Sequence, residues 1–533
     1  MVWPWVSWVE SGMMELSTAI VGRGRRASLF YGLILAVYAV ITCITLCHHE
    51  LWRDEALTWV VARDAGFFEL FRVAALEGHP SLWYLLLMPF AKFGMPCFTM
   101  LLIHWSLAVA AVAVFLWCAP FPKITKVLFV FSYYMFWEYC LSIRFYTLGI
   151  LLIFSLTALH RDRFRFPILY ATLLVLLLNT SIPVMFIAIA LFLVYVWDYI
   201  ALNDKRPRVK LAIVLMVLGI IAAYLQIGKF PGSIIQESFS WKTASANELT
   251  AVVQAFFVSD PRGVLVLAGF AILALVGYVL VTKPASLLIL GIHLAGNFGI
   301  FLFLTGGTRH HGLILIGILV SLWLAAYYPD SELSIFRSIR THLPDFNQRW
   351  HTCMVALNLS LLMALPIGVS MHRLDLKYQY SGSKKMAQFI RANYLDRYPI
   401  AAWRDAQTFP VLVYLPGKQF WCAGLKKYGT YYRQTKERGW AAAHVTYGDA
   451  LQNIERAFPE NEPVLILLDV PLDTQQMPRY KLLFKVDGDI FFAGDERLYL
   501  YLRVAPGTVP QPADANRSLP GPPLPLPQTS ASK

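Results

Sequence analysis

Apolar residues run in long blocks through the first 370 positions, and each block is about as long as a bilayer core is thick. A helix needs roughly 20 predominantly apolar residues to cross about 30 Å of hydrocarbon. Such blocks occupy 29–46, 96–118, 123–137, 141–160, 166–178, 182–202, 209–227, 262–282, 285–304, 312–328 and 351–370. A shorter block, Ser81–Phe93, makes a helix of about 20 Å and reads as a half-span or re-entrant piece.

After residue 372 the blocks give way to alternating helical and strand signals. Ser383–Tyr394 reads as a helix with Met386, Phe389 and Ile390 on one face. Pro399–Trp403, Gln419–Cys422 and Val464–Val470 read as strands, Tyr447–Phe458 as a helix, and Tyr480–Val486 and Arg497–Val504 as further β-rich runs. Residues 506–533 are rich in Pro, Ser and Gly and cannot bury a core. The predicted fold class is an all-α polytopic membrane bundle of about 11–12 spans, followed by a small soluble α/β domain and a disordered tail. Its parts are an N-terminal cytoplasmic or interfacial segment (1–28), a transmembrane domain (29–371), an extracytoplasmic α/β domain (372–505) and the tail (506–533).

Composition agrees with this division. The 533 residues are 57% hydrophobic and 15% charged, against about 45–50% and about 25% for soluble domains. The net charge of +13 does not point to nucleic acid, because its basic residues sit in short clusters between apolar blocks. That is where the positive-inside rule places them. With Arg23–Arg26, Lys123/Lys126, Arg161–Arg165, Lys205–Lys210, Lys283 and Arg337–Arg349 in the cytoplasm, the outward set is 47–80, 138–146, 179–181, 228–261, 305–311 and everything after 371. The scheme closes only if Ser81–Phe93 does not fully cross. The block Leu29–Leu46 follows Arg23, Arg25 and Arg26 with no small-residue cleavage site after it, and reads as a signal anchor that stays. The seven Cys have no metal-ligand spacing.

The outward segments carry the chemistry. The first holds Glu50, Asp54, Glu55, Asp64, Glu69 and Glu77 beside His48, His49 and His79, and its apolar positions fit short amphipathic helices on the membrane surface. Adjacent Asp54 and Glu55 either do acid–base work at the membrane boundary or mark, as a solvated pair, where a helix leaves lipid. In the second, residues 137–146, Glu138 and Arg144 sit between two apolar blocks, as functional groups or as a structural pair closing a hairpin. In the third, residues 306–312, Arg309 with His310 and His311 makes a phosphate clamp or an interfacial snorkel. Three polar sites on one face of one bundle suit a substrate with phosphate at headgroup level and a tail in lipid.

With Asp54–Glu55 followed by Gly78–His79–Pro80–Ser81–Leu82–Trp83–Tyr84, and with Glu138, Arg144 and Tyr146 in the second segment, the chain resembles the GT-C superfamily of membrane glycosyltransferases. It is most similar to the branch with the protein O-mannosyltransferases and the aminoarabinose transferases of lipid A; the third segment resembles a bacterial subgroup. The resemblance covers about residues 29–320. It implies a polyprenyl-phosphate-linked sugar donor and a glycan, lipid or protein acceptor. It also implies catalysis with inversion at the outer face of a bacterial inner membrane. Asp54 is then the general base and Glu55 a positioning group. Arg144 and Arg309, with His310 and His311, bind the donor phosphate, while His79, Glu138 and Tyr146 contact substrate. A divalent cation is compatible with the carboxylates and His of the first loop, without an assigned ligand set. Two departures stand out: Ser81 replaces a common Pro, and His104 stands nearest to where relatives carry an Arg. The rival functions are a transporter or flippase for a lipid-linked glycan and a glycan polymerase or ligase.

Overall fold

The computed structural model describes residues 25–227, 245–302, 306–331, 333–475, 477–492, 494 and 496–504. The segment before residue 25, the stretch 228–244 of an expected outer loop and the tail 506–533 lie outside the described residues.

The chain enters through α1 (Arg25–His48) and continues into two short helices, α2 (Arg53–Asp64) and α3 (Phe67–Leu76). After α4 (Leu82–Lys92) come α5 (Phe98–Cys118), α6 (Lys123–Phe131), α7 (Tyr146–Leu159), α8 (Pro167–Leu178), α9 (Ile182–Leu202) and α10 (Pro207–Ile227). Then follow α11 (Ser245–Phe257), α12 (Gly263–Leu280), α13 (Pro284–Phe301), α14 (Thr308–Ala325), α15 (Ser334–Arg340) and α16 (Phe346–Lys377). Among the described residues eight of these, α1, α5, α9, α10, α12, α13, α14 and α16, are long and apolar enough to cross a membrane. The half-span is an 11-residue helix, α4, about 16 Å long.

Helix α14 is the centre of the bundle: every residue from His311 to Ala325 is buried, as expected of a helix that is apolar all round. Gly312 lets it approach its neighbour, because a Cβ there would lie 2.3 Å from the Tyr134 ring.

Two expected spans are broken. The blocks 123–137 and 141–160 predict continuous helices, but α6 stops at Phe131, a π-helical turn covers Tyr134–Glu138, and α7 starts only at Tyr146. Ser132, Glu138 and Ser142 are drawn inward and buried here. Irregular backbone at membrane depth is tolerated where protein rather than lipid surrounds it, and residues 132–143 are all buried.

Basic groups collect at one end. Lys283 Nζ donates to the Tyr328 carbonyl at 2.6 Å, and the Tyr328 hydroxyl donates to Asp198, the ion-pair partner of Arg163. Arg349 donates to Thr282 Oγ1 at 3.1 Å, and Trp350 stacks on Phe121 beside the start of α6. The acidic first loop meets the C-terminal domain.

The C-terminal domain is a six-stranded sheet, β1 (Ile400–Ala402), β2 (Phe420–Cys422), β3 (Lys427–Gly429), β4 (Val464–Leu468), β5 (Tyr480–Val486) and β6 (Leu498–Arg503), in the order β3-β2-β1-β4-β6-β5. Strand β1 pairs in parallel with β2 and β4, and the other pairings are antiparallel. Helices α17 (Ser383–Ala392) and α19 (Tyr447–Ala457) stand where their apolar periodicity places them. Thr446 caps α19 through its hydroxyl, which accepts the Asp449 N–H. Strand β3 and the helix α18 (Lys436–His444) carry too weak a pattern to be expected.

The amphipathic first loop packs on this domain. Leu57, Val61, Leu70 and Val73 of α2 and α3 share one buried cluster with Met386, Ile390, Phe409 and Leu412. Phe67 and Phe68 stay exposed at the tip of α3. Arg433 pairs with Glu69 at 2.9 Å and the Leu51 N–H donates to the Tyr414 hydroxyl at 3.1 Å, so polar contacts lock the same seam.

Candidate active site

The two adjacent carboxylates of the first loop end in different surroundings. Glu55 is fully buried, and its Oε1 accepts the Ile143 N–H at 2.7 Å while Oε2 accepts the Trp52 N–H at 3.3 Å. His49 lies 3.4 Å from Oε2 on one side and 2.8 Å from Asp375 on the other. Burial opposes a charge on His49, but the Asp375 and Glu55 carboxylates outweigh it and hold the imidazole up at about 10. Glu55 is thus a strut of a buried network that joins α1, α2, α16 and the broken segment.

Asp54 faces the other way and keeps a third of its side chain exposed (34%). Arg144 reaches it from the broken segment, with Nη1 donating to the Asp54 carbonyl at 3.0 Å and lying 3.8 Å from Oδ2. Arg144 Nε is buried without a hydrogen-bond partner.

The second guanidinium, Arg309, pairs with Glu138 at 3.6 Å and lies over the Trp52 ring at 5.2 Å. Tyr133 donates to the other Glu138 oxygen at 2.6 Å, so this carboxylate is buried with both oxygens engaged. A Glu138–Arg144 pair is therefore not formed; each takes a partner from elsewhere in the chain. Tyr139 donates to the Arg309 carbonyl at 2.7 Å and fixes the start of α14 against the π-turn.

The paired histidines diverge as helical neighbours must. His310 turns into the site, where it meets the Tyr146 hydroxyl at 2.8 Å. His311 turns away to Gln254 of α11 at 2.7 Å. Its expected place beside a phosphate is not formed, because the fold directs it into packing.

His79 lies on the Phe145 ring at 4.4 Å, with Nδ1 buried and unpartnered. Burial, with Arg144 and His310 adding to it, drives its pKa down to about 3. His79 is neutral at physiological pH. Beside it Glu77 accepts the Tyr84 hydroxyl at 2.6 Å on Oε2, and its Oε1 is buried with no partner. Burial raises the Glu77 carboxyl to about 7, against the pull of Arg144. Glu77 and Tyr84 belong to the site but did not stand out from the other polar residues of the loop. The signal was there: they flank the Gly78–His79–Pro80 turn.

Residues of the chain after 371 close the site from above. Tyr380 stacks on Phe492 at 4.6 Å, and Phe492 also contacts the Trp52 ring at 5.5 Å and the Trp137 ring at 6.0 Å. Glu496, fully buried, accepts the Arg53 N–H at 2.7 Å. No position in this aromatic roof is predictable from spacing. Among the described residues no group of three or more His, Cys, Asp or Glu side chains is arranged to hold a metal ion, and the charge beside Asp54 is a guanidinium.

A bundle of membrane-length helices around a buried central one, with two juxtamembrane helices and an α/β domain over one end, has the GT-C fold. The chain superposes on the crystal structure of ArnT from Cupriavidus metallidurans in the apo state, with a TM-score of 0.53 and 12% identity over 90% of this chain and 99% of that one. No family model and no curated protein sequence matches it. The resemblance read in the first two outward segments is borne out at the level of the fold.

Proposed function

We propose that the chain is a membrane glycosyltransferase that moves a sugar from a polyprenyl-phosphate-linked donor to a glycan, lipid or protein acceptor on the extracytoplasmic face of a bacterial inner membrane. The observation that carries this reading is the contrast among the carboxylates. Glu55 and Glu138 are buried with both oxygens engaged, while Asp54 is a third exposed and has a guanidinium beside it.

In this reading Asp54 takes the proton of the acceptor hydroxyl as its oxygen attacks the anomeric carbon. The bond from that carbon to the phosphate oxygen breaks on the opposite face, so the configuration inverts. Negative charge grows on the departing phosphate, where Arg144 and Arg309 are the cations at hand. The C-terminal domain covers the acceptor side, a role supported by its shared core with α2 and α3. The basic clusters gathered at the far end support the sidedness.

The test is to incubate the purified chain in nanodiscs with a panel of radiolabelled polyprenyl-phosphate sugars and follow release of the sugar from the lipid. Consumption of at least one donor is expected. A chain that consumes none, and instead moves a labelled lipid-linked glycan across a vesicle bilayer, is a transporter.

A further inference from the structure

His310 was expected to hold phosphate directly, but its hydrogen bonds leave it no free nitrogen. The Gly307 backbone N–H donates to Nδ1 at 3.0 Å. A backbone amide can only donate, so Nδ1 carries the lone pair, and the proton of the neutral ring sits on Nε2. Nε2 lies 2.8 Å from the Tyr146 hydroxyl. The imidazole is therefore the donor of that bond and the tyrosine oxygen its acceptor.

This fixes the direction of the next bond. With an oxygen lone pair of Tyr146 taken by His310, the phenolic proton points elsewhere. No hydrogen-bond acceptor for it occurs among the described residues, although Tyr146 is 4% exposed. The charged groups that act on this hydroxyl are Arg144, Arg309, Asp54 and Glu138, all of them in the candidate site. Arg144 and Arg309 come to it from different elements, one in the break before α7 and the other in the first turn of α14.

We propose that Tyr146 donates its hydroxyl proton as a hydrogen bond to the phosphate oxyanion of the polyprenyl-phosphate leaving group, and that His310 is the positioning residue that aims it. No proton is transferred: the hydroxyl stays intact and adds a neutral donor to the two cations that act on it. His310 works only through Tyr146 and touches neither sugar nor phosphate. The inference deepens the glycosyltransferase reading and rests on it.

The probe is farnesyl phosphate, a short polyprenyl monophosphate that mimics the leaving group, titrated against the full-length protein in nanodiscs with intrinsic tryptophan fluorescence as readout. Hydrogen bonds to charged groups are worth about 1.5–3 kcal/mol, so Tyr146→Phe should weaken binding by about 10-fold or more. His310→Ala should weaken it less. The double variant should be no weaker than Tyr146→Phe alone, and His310→Gln, whose amide can donate to the tyrosine oxygen, should restore part of the loss. Farnesol, which lacks the phosphate, should bind all variants equally.

Wild-type binding that Tyr146→Phe leaves unchanged, or losses that add in the double variant, would overturn this assignment and leave the transferase reading standing. A wild-type protein that binds farnesyl phosphate no better than farnesol would overturn both. Thermal unfolding of each variant in the same nanodiscs separates a lost contact from a damaged fold.

Discussion

The Oε1 atom of Glu55 accepts the backbone N–H of Ile143 at 2.7 Å, joining the first turn of α2 to the break that carries Arg144. One residue earlier, Asp54 faces Arg144 itself. The pair therefore divides along the helix: Glu55 ties the segment in place, and Asp54 keeps a third of its side chain exposed beside Arg144.

That division predicts unequal effects of substitution. Glu55→Ala leaves the Ile143 N–H without its acceptor and His49 with only one of its two carboxylates, Asp375, and losing one member of a buried ionic network costs about 3–5 kcal/mol. Glu55→Gln keeps an acceptor for Ile143 and should cost roughly 1–2 kcal/mol. Thermal unfolding in nanodiscs measures both. Wild-type stability in Glu55→Ala, with transfer abolished, would instead give Glu55 a part in the chemistry.

Glu77 makes stability depend on pH. Its carboxyl, raised by burial to about 7, holds a proton in the folded chain that an unfolded glutamate loses near 4.5. The folded state binds more protons across that window, so this contribution is complete below about 4.5 and is lost as pH rises towards about 7. Glu77→Gln mimics the protonated acid at every pH. The stability of Glu77→Gln relative to wild type should climb by about 1–3 kcal/mol between pH 5 and pH 7 and then level off. A difference that stays flat over the range contradicts the assignment.

The shared core makes the first outer loop and the C-terminal domain one cooperative unit. Leu70 is fully buried in that core, and Leu70→Ala should cost about 2–5 kcal/mol. In limited proteolysis, sites in α3 and in the α/β domain should open together. Cleavage of the α/β domain alone, with α2 and α3 still protected, would mean that the two fold apart.

Sidedness has a direct readout. With the native cysteines replaced, a cysteine at Glu460 should react with a membrane-impermeant maleimide added to intact spheroplasts. A cysteine at Lys205 should react only after lysis. Both positions are exposed. The reverse pattern would invert the topology and place the site in the cytoplasm.

Sequence pattern carried the architecture because bilayer thickness sets the length of an apolar block. It therefore located the membrane-length helices, but α11 (Ser245–Phe257) lies in an expected outer loop and α15 (Ser334–Arg340) in an expected basic connection. The breaks at Phe131 and Tyr146 escaped it, since Tyr134, Met135, Phe136 and Trp137 are as apolar as any span; Ser132, Glu138 and Ser142 are buried there, and Glu138 pairs with Arg309 of α14. In the site, residue type alone singled out Asp54, Arg144 and Arg309, because a charge beside a membrane core needs a reason. It could not choose partners. The pairs Asp54–Arg144 and Glu138–Arg309 join residues that are 90 and 171 positions apart, and only the packing of α14 brings the second together. The roof of Tyr380 and Phe492 was hidden for the same reason: aromatic residues in a soluble domain ordinarily pack its own core.

The central claim is that Asp54 is the base of a sugar transfer from a lipid phosphate. Asp54→Asn is nearly isosteric, keeps an oxygen near Arg144 and removes only the basicity. The decisive measurement is single-turnover transfer from a radiolabelled polyprenyl-phosphate sugar, beside donor binding by the same protein. The account predicts donor binding within about 3-fold of wild type and a loss of at least about 10²-fold in the transfer rate. Transfer by Asp54→Asn at the wild-type rate would contradict it and move the base to another group of the site.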